Sequence, residues 1–236
     1  MNNNYLYNDN IGKIELVQHM GEDITVVNSA RVSFGVQKDI LDSKDEKLIN
    51  YLIKHKHTST LEHNIATFRI KVPLFVRSQH HRHRTWSYNE ISRRYTDADI
   101  EFYEPTNFRT QHKSNRQASN IEDTINPLIT YKTNYSSQIL TKTASDAISD
   151  HHKFSLKLFD DLLTAGVCRE QARGVLPQNL YTEYYATANL NNILKFIDLR
   201  MHEGAQWEIQ QLAIKMRDII LEIWPITVSS YINLSK

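Results

Sequence analysis

The sequence is poor in the residues that build disulfide frameworks and glycine-rich phosphate loops. Its 236 residues include one cysteine, six glycines and five prolines. A single cysteine, Cys168, excludes an intrachain disulfide and every metal site made from several cysteines. It is also typical of a protein from a reducing cytoplasm, which is the location we expect. The glycines nowhere form G-x-G-x-x-G, which excludes a dinucleotide-binding fold that depends on that loop.

Long apolar runs and an excess of one charge are missing as well. No apolar stretch approaches about 18 residues, so no transmembrane helix is expected. The first residues, MNNNYLYNDN, have neither the basic region nor the apolar run of a signal peptide. The formal net charge is +1, so nothing global favours wrapping nucleic acid or coating a membrane. Any basic chemistry must therefore be local.

Hydrophobic periodicity in the first third of the chain predicts strands and helices. We predict strands over Lys13–Met20 and Ala66–Val72, the second of them half-buried. A helix is predicted over Asp23–Arg31, capped by Asp23, and a short one from Pro73. Another helix should begin at the capping-box pattern Ser43-Lys44-Asp45-Glu46 and end near His55–Thr58.

The rest of the chain continues this mixture. Gln79–Tyr95 is expected to be a structured loop and Asn107–Asn126 a mobile polar excursion. Helices are predicted over Asp146–Leu163, Arg169–Val175, Asn191–Met201 and Gln206–Trp224, and a strand over Leu180–Ala188. Because there is no regular βαβ alternation, we expect an α+β fold of helices and antiparallel sheet, as one domain over residues 1–236.

The most informative segment is Gln79–Tyr95, QHHRHRTWSYNEISRRY. It carries four arginines and three histidines but a single acidic residue, Glu90. Packing so many cations together costs self-repulsion unless an anion neutralises them. The planar fork of arginine matches phosphate oxygens two at a time. Interleaved Trp86, Tyr88 and Tyr95 and small polar residues favour a nucleotide-phosphate site over a solvated basic loop.

Two other functions remain open on the residues alone. A single-stranded RNA-binding module would stack bases on Trp86 and Tyr88, although the net charge of +1 and the lack of an extended basic face oppose it. A metal-dependent nucleotide hydrolase would use the histidines. These lack H-E-x-x-H spacing and neighbouring acidic ligands, so we predict no metal site.

The same segment resembles the signature of the flavin-dependent thymidylate synthases, R-H-R-x-x-S-x-N-E-x-S-x-R-Y. All nine fixed positions are met, by Arg82-His83-Arg84, Ser87, Asn89-Glu90, Ser92 and Arg94-Tyr95. His57-Thr58-Ser59-Thr60-Leu61-Glu62-His63 resembles the family's upstream segment, and Ala205-Gln206-Trp207-Glu208 resembles its carboxy-terminal part. The likeness runs from about residue 14 to residue 225.

The resemblance implies reductive methylation of dUMP to dTMP, with FAD as cofactor and 5,10-methylenetetrahydrofolate and NADPH as co-substrates. It implies a homotetramer with active sites at subunit interfaces, and no nucleic-acid or membrane partner. The implied FAD contacts are His57, Ser59, Arg82, His83, Arg84, Glu90, Asn189, Asn191 and Lys195. The implied dUMP contacts are Gln79, Arg82, Glu90, Ser92, Arg93 through its backbone, Arg94, Arg173 and Arg200.

Arg200 is the catalytic residue that the resemblance implies. A guanidinium against the uracil carbonyls stabilises negative charge on the ring and favours hydride acceptance from reduced flavin. The alternative from sequence position is a helix C-terminal arginine, paired with the macrodipole or with Glu203. Cys168 is interpreted as non-catalytic, because the family that the chain resembles needs no enzyme nucleophile.

The sequence departs from the family pattern at three positions. Asn191 and Lys195 stand where relatives often carry Arg and Asn near the adenine half of FAD, and Gly204 stands where many carry His. Contacts to FAD are therefore expected to differ from those of typical members.

Overall fold

The structure is a computed structural model that describes residues 4–132 and 139–234. Its strands are β1 (Lys13–Met20), β2 (Ile65–Pro73), β3 (Ser87–Glu90), β4 (Phe108–Gln111), β5 (Ser119–Ile125), β6 (Leu128–Lys132), β7 (Ile139–Thr143) and β8 (Tyr181–Asn189). Its helices are α1 (Asp23–Arg31), α2 (Ser43–Lys54), α3 (Leu74–His80), α4 (Ala144–Thr164), α5 (Arg169–Ala172), α6 (Leu190–Met201), α7 (Trp207–Ile223) and α8 (Pro225–Leu234). Helices mixed with antiparallel strand pairs confirm the α+β class.

The chain forms two compact units. The first contains Met1–Lys71, Ser78–Glu90 and Glu183–Lys236, and the second contains Val72–Arg77 and Ile91–Thr182. The expectation of one domain over residues 1–236 stays a prediction. No helix in the described ranges is both long enough and apolar enough to cross a bilayer.

The first unit is built on a four-stranded sheet in the order β1-β2-β8-β3. In β2, Phe68 and Ile70 are fully buried whereas Arg69 between them is exposed, as the period of two in the sequence predicts. Helix α6 packs on α7, and α2 and α7 pack on α8. The side chains of Tyr184 and Phe196 lie in the core of this unit.

The N-caps of two helices in the first unit lie one residue earlier than the sequence suggests. The N-cap of α2 is Asp42, whose carboxylate accepts hydrogen bonds from the backbone N–H groups of Lys44 and Asp45 at 2.8 and 3.1 Å. The expected cap at Ser43 is therefore wrong, because an aspartate directly precedes it.

Asp23 has a different role from the predicted one. Glu22 is the N-cap of α1, and the buried carboxylate of Asp23 accepts from the backbone N–H groups of Ile226 and Thr227, each at 2.9 Å. These groups lie in the first turn of α8, whose N–H groups have no partner within the helix. Asp23 thus ties α1 to α8.

The second unit contains two hairpins and the long helix α4. Strands β4 and β5 pair within the segment expected as a mobile excursion, so that segment has regular structure; its mobility stays a prediction. The pair β6–β7 was not predicted. Helix α4 begins after Thr143, which caps it, and ends before Gly166 at φ +89°, the predicted stop.

Candidate active site

The arginine-rich segment begins in α3, passes through β3 and continues beyond it to Tyr95, so the expected loop is interrupted by a strand. Gln79 and His80 close α3, a turn follows, and β3 then pairs antiparallel with β8. Within β3, Tyr88 and Glu90 are half-buried whereas Ser87 and Asn89 are exposed. The strand therefore turns one face towards the core of the first unit.

Arg82 and Arg84 lie in the turn between α3 and β3. Both side chains are exposed, and neither forms an ion pair with any residue in the described ranges. Two neighbouring guanidinium groups without a counter-charge are the arrangement that an anion neutralises.

Arg200 reaches the same turn from the last turn of α6. Its Nε donates to Nε2 of His83 at 3.1 Å and its Nη2 donates to the carbonyl oxygen of Gln79 at 3.2 Å. The guanidinium is half-buried, and burial lowers the pKa of Arg200. No ion pair with Glu203 is present among the described residues, so the alternative pairing predicted from helix position is not formed.

His83 is the neutral partner in this pair. Burial, and secondly the charge of Arg200, lower the pKa of His83 to about 4. Because Nε2 accepts the hydrogen bond from Arg200, the imidazole proton lies on Nδ1. The pair therefore carries one positive charge at neutral pH.

His80 supports the turn from the interior. It is fully buried, its Nδ1 lies 2.8 Å from the hydroxyl of Tyr184, and its ring packs 4.6 Å from Phe196 and 4.8 Å from Trp86 between centroids. Burial, and secondly the neighbouring basic groups, hold the pKa of His80 well below 6.5. A neutral imidazole is thus part of the core beneath the arginines.

A chain of polar side chains extends from Gln79. Its Nε2 donates to Oε1 of Gln206 at 2.5 Å, and Nε2 of Gln206 donates to the buried carboxylate of Glu208 at 2.9 Å. Gln206 and Glu208 were not predicted as site residues. The segment Ala205-Gln206-Trp207-Glu208 was the available signal, but its sequence alone assigns it no role.

A cleft of about 480 Å³ in the first unit brings together three of the predicted FAD contacts, His57, Asn191 and Lys195. Its other lining residues are Leu52, Ile53, Lys54, Lys56, Thr58, Leu61, Asp198, Tyr231 and Leu234. Three lysines against one aspartate make the lining cationic. Ser59 is exposed on the 3-10 turn Thr58–Leu61 and directly follows Thr58, which lines the cleft.

Two asparagines near the cleft already have structural partners. Asn189 is the N-cap of α6 and accepts from the backbone N–H of Asn192 at 3.0 Å. Nδ2 of the buried Asn191 donates to Oε1 of Glu62 at 3.0 Å. A ligand contact by either residue would use the remaining donor and acceptor positions of its amide.

The other predicted dUMP contacts belong to the second unit. Oγ of Ser92 accepts from the backbone N–H of Arg94 at 3.3 Å, and Nη2 of Arg94 donates to the hydroxyl of Tyr95 at 3.0 Å. The guanidinium of Arg93 donates to the carbonyl oxygens of residues 98 and 99, which leaves the backbone of Arg93 as its predicted contact to a ligand. Arg173 is exposed in the 3-10 turn Arg173–Val175.

Known proteins resemble this chain over almost its whole length. Residues 15–226 match the family model described as thymidylate synthase complementing protein. The flavin-dependent thymidylate synthase of Thermosipho africanus is 38% identical over 224 residues, which cover 94% of this chain and 91% of that one. The enzyme of the same name from Thermus thermophilus is 39% identical, over 93% of this chain and 75% of that one.

The chain belongs to the flavin-dependent thymidylate synthase family. A solved structure agrees: the UMP/dUMP methylase PolB from Streptomyces cacaoi, bound with 5-Br dUMP, superposes with a TM-score of 0.77 at 28% identity, covering 94% of this chain and 95% of that one. The chain is therefore an enzyme.

The departures from the flavin-dependent thymidylate synthase pattern lie on α6 and just after it, in the first unit. Asn191 and Lys195 line the same cleft, one helical turn apart on α6. Gly204 follows α6, where its backbone N–H donates to Nδ1 of His202 at 3.0 Å. The arginine-rich turn and Arg200 keep the family pattern.

Proposed function

We propose that this enzyme converts dUMP to dTMP by reductive methylation, with FAD as cofactor and 5,10-methylenetetrahydrofolate and NADPH as co-substrates. The observation that carries the proposal is the fixed guanidinium of Arg200 beside the unpaired Arg82 and Arg84. The names of its relatives support a flavin as the cofactor, and the 5-Br dUMP bound by PolB supports a uridine nucleotide as the substrate.

Arg200 has donors left for a substrate. A guanidinium carries five N–H groups, and the structure uses one on Nε and one on Nη2. The remaining N–H groups suit the carbonyl oxygens of a uracil ring. Fixed donors aimed at developing negative charge stabilise a transition state without reorganisation at the moment of reaction. We therefore assign to Arg200 the stabilisation of charge on the ring when it accepts a hydride.

We assign phosphate binding to the other arginines of the site. Arg82 and Arg84 carry no counter-charge from the described residues and fit a phosphate or pyrophosphate. Arg94, Arg173, the hydroxyl of Ser92 and the backbone of Arg93 are the remaining dUMP contacts in the proposal, with Gln79 and Glu90. Each of these roles is a prediction for one residue.

The residues of the cationic cleft fit FAD. Lys54, Lys56 and Lys195 suit an anionic group, and Leu52 and Leu61 give it apolar walls. We assign His57, Ser59, Asn189, Asn191 and Lys195 to the cofactor, together with Arg82, His83, Arg84 and Glu90. Reduced flavin supplies the hydride when it is bound; the protein supplies binding, orientation and positive charge.

A homotetramer with shared active sites completes the proposal. Val32, Phe34, Val36 and Ile40 are exposed within one short segment, Phe34 at 83%. Exposed apolar side chains concentrated in one segment are typical of an interaction surface. A second copy of the chain is the partner that the family assignment suggests.

Spectroscopy and product analysis test the function directly. We expect purified protein to bind FAD, to give a flavin absorbance spectrum that changes on addition of dUMP, and to form dTMP only when NADPH and methylenetetrahydrofolate are both present. Correctly folded protein that binds neither FAD nor dUMP at saturating concentrations would contradict the proposal.

A further inference from the structure

Tyr88 occupies a position that the family signature leaves open, between Ser87 and Asn89. Its hydroxyl oxygen lies 3.0 Å from the carbonyl oxygen of His80 and 3.0 Å from that of His83. The single phenolic proton is shared between these two acceptors or alternates between them. Burial raises the pKa of Tyr88, so the hydroxyl remains a donor throughout the neutral range.

The two carbonyl groups belong to the backbone that carries the arginines. The last carbonyl groups of a helix lack partners within it and need donors from elsewhere. At the end of α3, the carbonyl of Gln79 accepts from the backbone N–H of Arg82 and from Arg200, and that of His80 accepts from the backbone N–H of His83 and from Tyr88. Tyr88 and Arg200 therefore bind adjacent carbonyl groups at the start of the same turn.

His83 is held at two points by these side chains. Its carbonyl oxygen accepts from Tyr88, and its Nε2 accepts from Arg200. Tyr88 fixes the backbone of His83, and the position of the His83 ring depends on that backbone. One of the two hydrogen bonds that orient Arg200 ends on this ring, so it depends on Tyr88 as well. Small displacements of a catalytic group cost a large part of its effect.

The ring of Tyr88 is placed by packing rather than by its hydroxyl. It lies 4.1 Å from the ring of His81 and 5.4 Å from that of His80, and it is nearly parallel to Trp86 at 6.3 Å. Replacement by phenylalanine would keep these contacts. The hydroxyl can thus be removed on its own.

We propose that Tyr88 is a positioning residue for Arg200. The hydroxyl of Tyr88 fixes the turn Arg82–Arg84 so that His83 presents Nε2 to the guanidinium of Arg200. The inference rests on the proposed function, since it needs Arg200 to act on the substrate. Tyr88 acts through the backbone of the turn and has no contact with substrate in this proposal.

The first test compares Tyr88→Phe with Tyr185→Phe, a matched control on the neighbouring strand β8 whose side chain is exposed. In Tyr88→Phe we expect kcat for dTMP formation to fall roughly ten- to hundred-fold while the KM for dUMP changes by less than about three-fold. Tyr185→Phe should match the parent in both. Parent-like kcat in Tyr88→Phe would overturn the proposal.

A double-mutant cycle separates positioning from a general loss of structure. If Tyr88 acts through Arg200, the effect of Tyr88→Phe on kcat should largely disappear in an Arg200→Lys background, because the orientation it protects is already lost. Equal effects in both backgrounds would contradict the coupling. Thermal unfolding of all variants checks that folded enzyme is compared.

A titration that needs no ligand separates this inference from the proposed function. In the parent, NMR of the imidazole nitrogens should show the pKa of His83 at about 4, lowered by burial and by Arg200. The neighbouring titratable or charged groups are His80, His81, Arg82, Arg84 and Arg200. In Tyr88→Phe that pKa should rise as the ring moves away from Arg200. An unchanged pKa would contradict positioning, whereas a parent protein without flavin or dUMP binding would contradict only the function.

Discussion

Arg200 is the residue on which the proposed chemistry depends most. We expect Arg200→Ala to lower kcat/KM for dUMP by a factor on the order of 10² to 10³, the usual cost of removing a fixed donor to developing charge. Arg200→Lys should lie between the parent and the alanine variant, because a lysine keeps the charge without the planar fork. Steady-state kinetics with saturating FAD measures all three. Normal turnover in the alanine variant would contradict the assigned role.

His80 makes the first unit sensitive to acid. Its folded-state pKa is depressed below 6.5, so the unfolded chain binds more protons than the folded one as the pH falls below 6.5, and the free energy of unfolding decreases. His80→Phe keeps an aromatic ring in the core and removes this proton uptake. We expect urea unfolding at several pH values to show a weaker pH dependence in that variant.

An exposed histidine provides the control for that measurement. His63→Gln removes a surface histidine without touching this core, and it is measured beside His80→Phe. A pH dependence in His80→Phe equal to that of the parent would show that the buried imidazole is not the source. His83, whose pKa is also lowered, contributes to the dependence that remains, as do Asp42, Asp97 and Asp150, whose pKa values hydrogen bonds to cationic side chains lower.

The sequence alone indicates the charged groups of the candidate site but not the residues that support them. The density of arginine in Gln79–Tyr95 points to an anion whatever the fold. The buried His80 and the bond from Gln79 to Gln206 are contacts between residues far apart in the chain, 104 positions for His80 and Tyr184 and 127 for the glutamines. No local pattern encodes such pairs.

The start of α2 gives a quantitative test at the level of an element. Asp42→Ala should lower the free energy of unfolding, because two N–H groups at the helix start lose their acceptor. Ser43→Ala, at the position that the sequence pattern favours, should change it by less than about 0.5 kcal/mol. Chemical denaturation of both variants decides between the two caps.

The clarity of the hydrophobic repeat separates the first predicted elements from β3 and α8, which were not predicted. The strand Lys13–Met20 and the helix Asp23–Arg31 have the predicted bounds, since each shows a clear hydrophobic period over eight or nine residues. Strand β3 has four residues and borders a turn rich in charge, too short for its alternation to be recognised. Helix α8 has no amphipathic stripe and begins at Pro225, directly after the predicted end of the preceding helix at Trp224.

The exposed apolar segment makes a prediction for the whole molecule. We expect the protein to sediment as a tetramer of its 27.6 kDa chain, and Phe34→Glu to shift it towards smaller species by placing a charge in an apolar contact. Leu128→Glu, at a residue of comparable exposure in β6, is the control and should leave the assembly unchanged. A monomeric parent protein, or a tetramer indifferent to Phe34→Glu, would contradict the assignment.

The chain passes from one compact unit to the other four times, after residues 71, 77, 90 and 182. Neither unit corresponds to one uninterrupted stretch of codons, and a gene truncated slightly at either end loses part of the first unit only. The short return through Ser78–Glu90 carries the arginine-rich turn. Arg200 lies in a different segment of the same unit, Glu183–Lys236. A recombinant gene should therefore take the segment with the turn and the segment with Arg200 from the same parent.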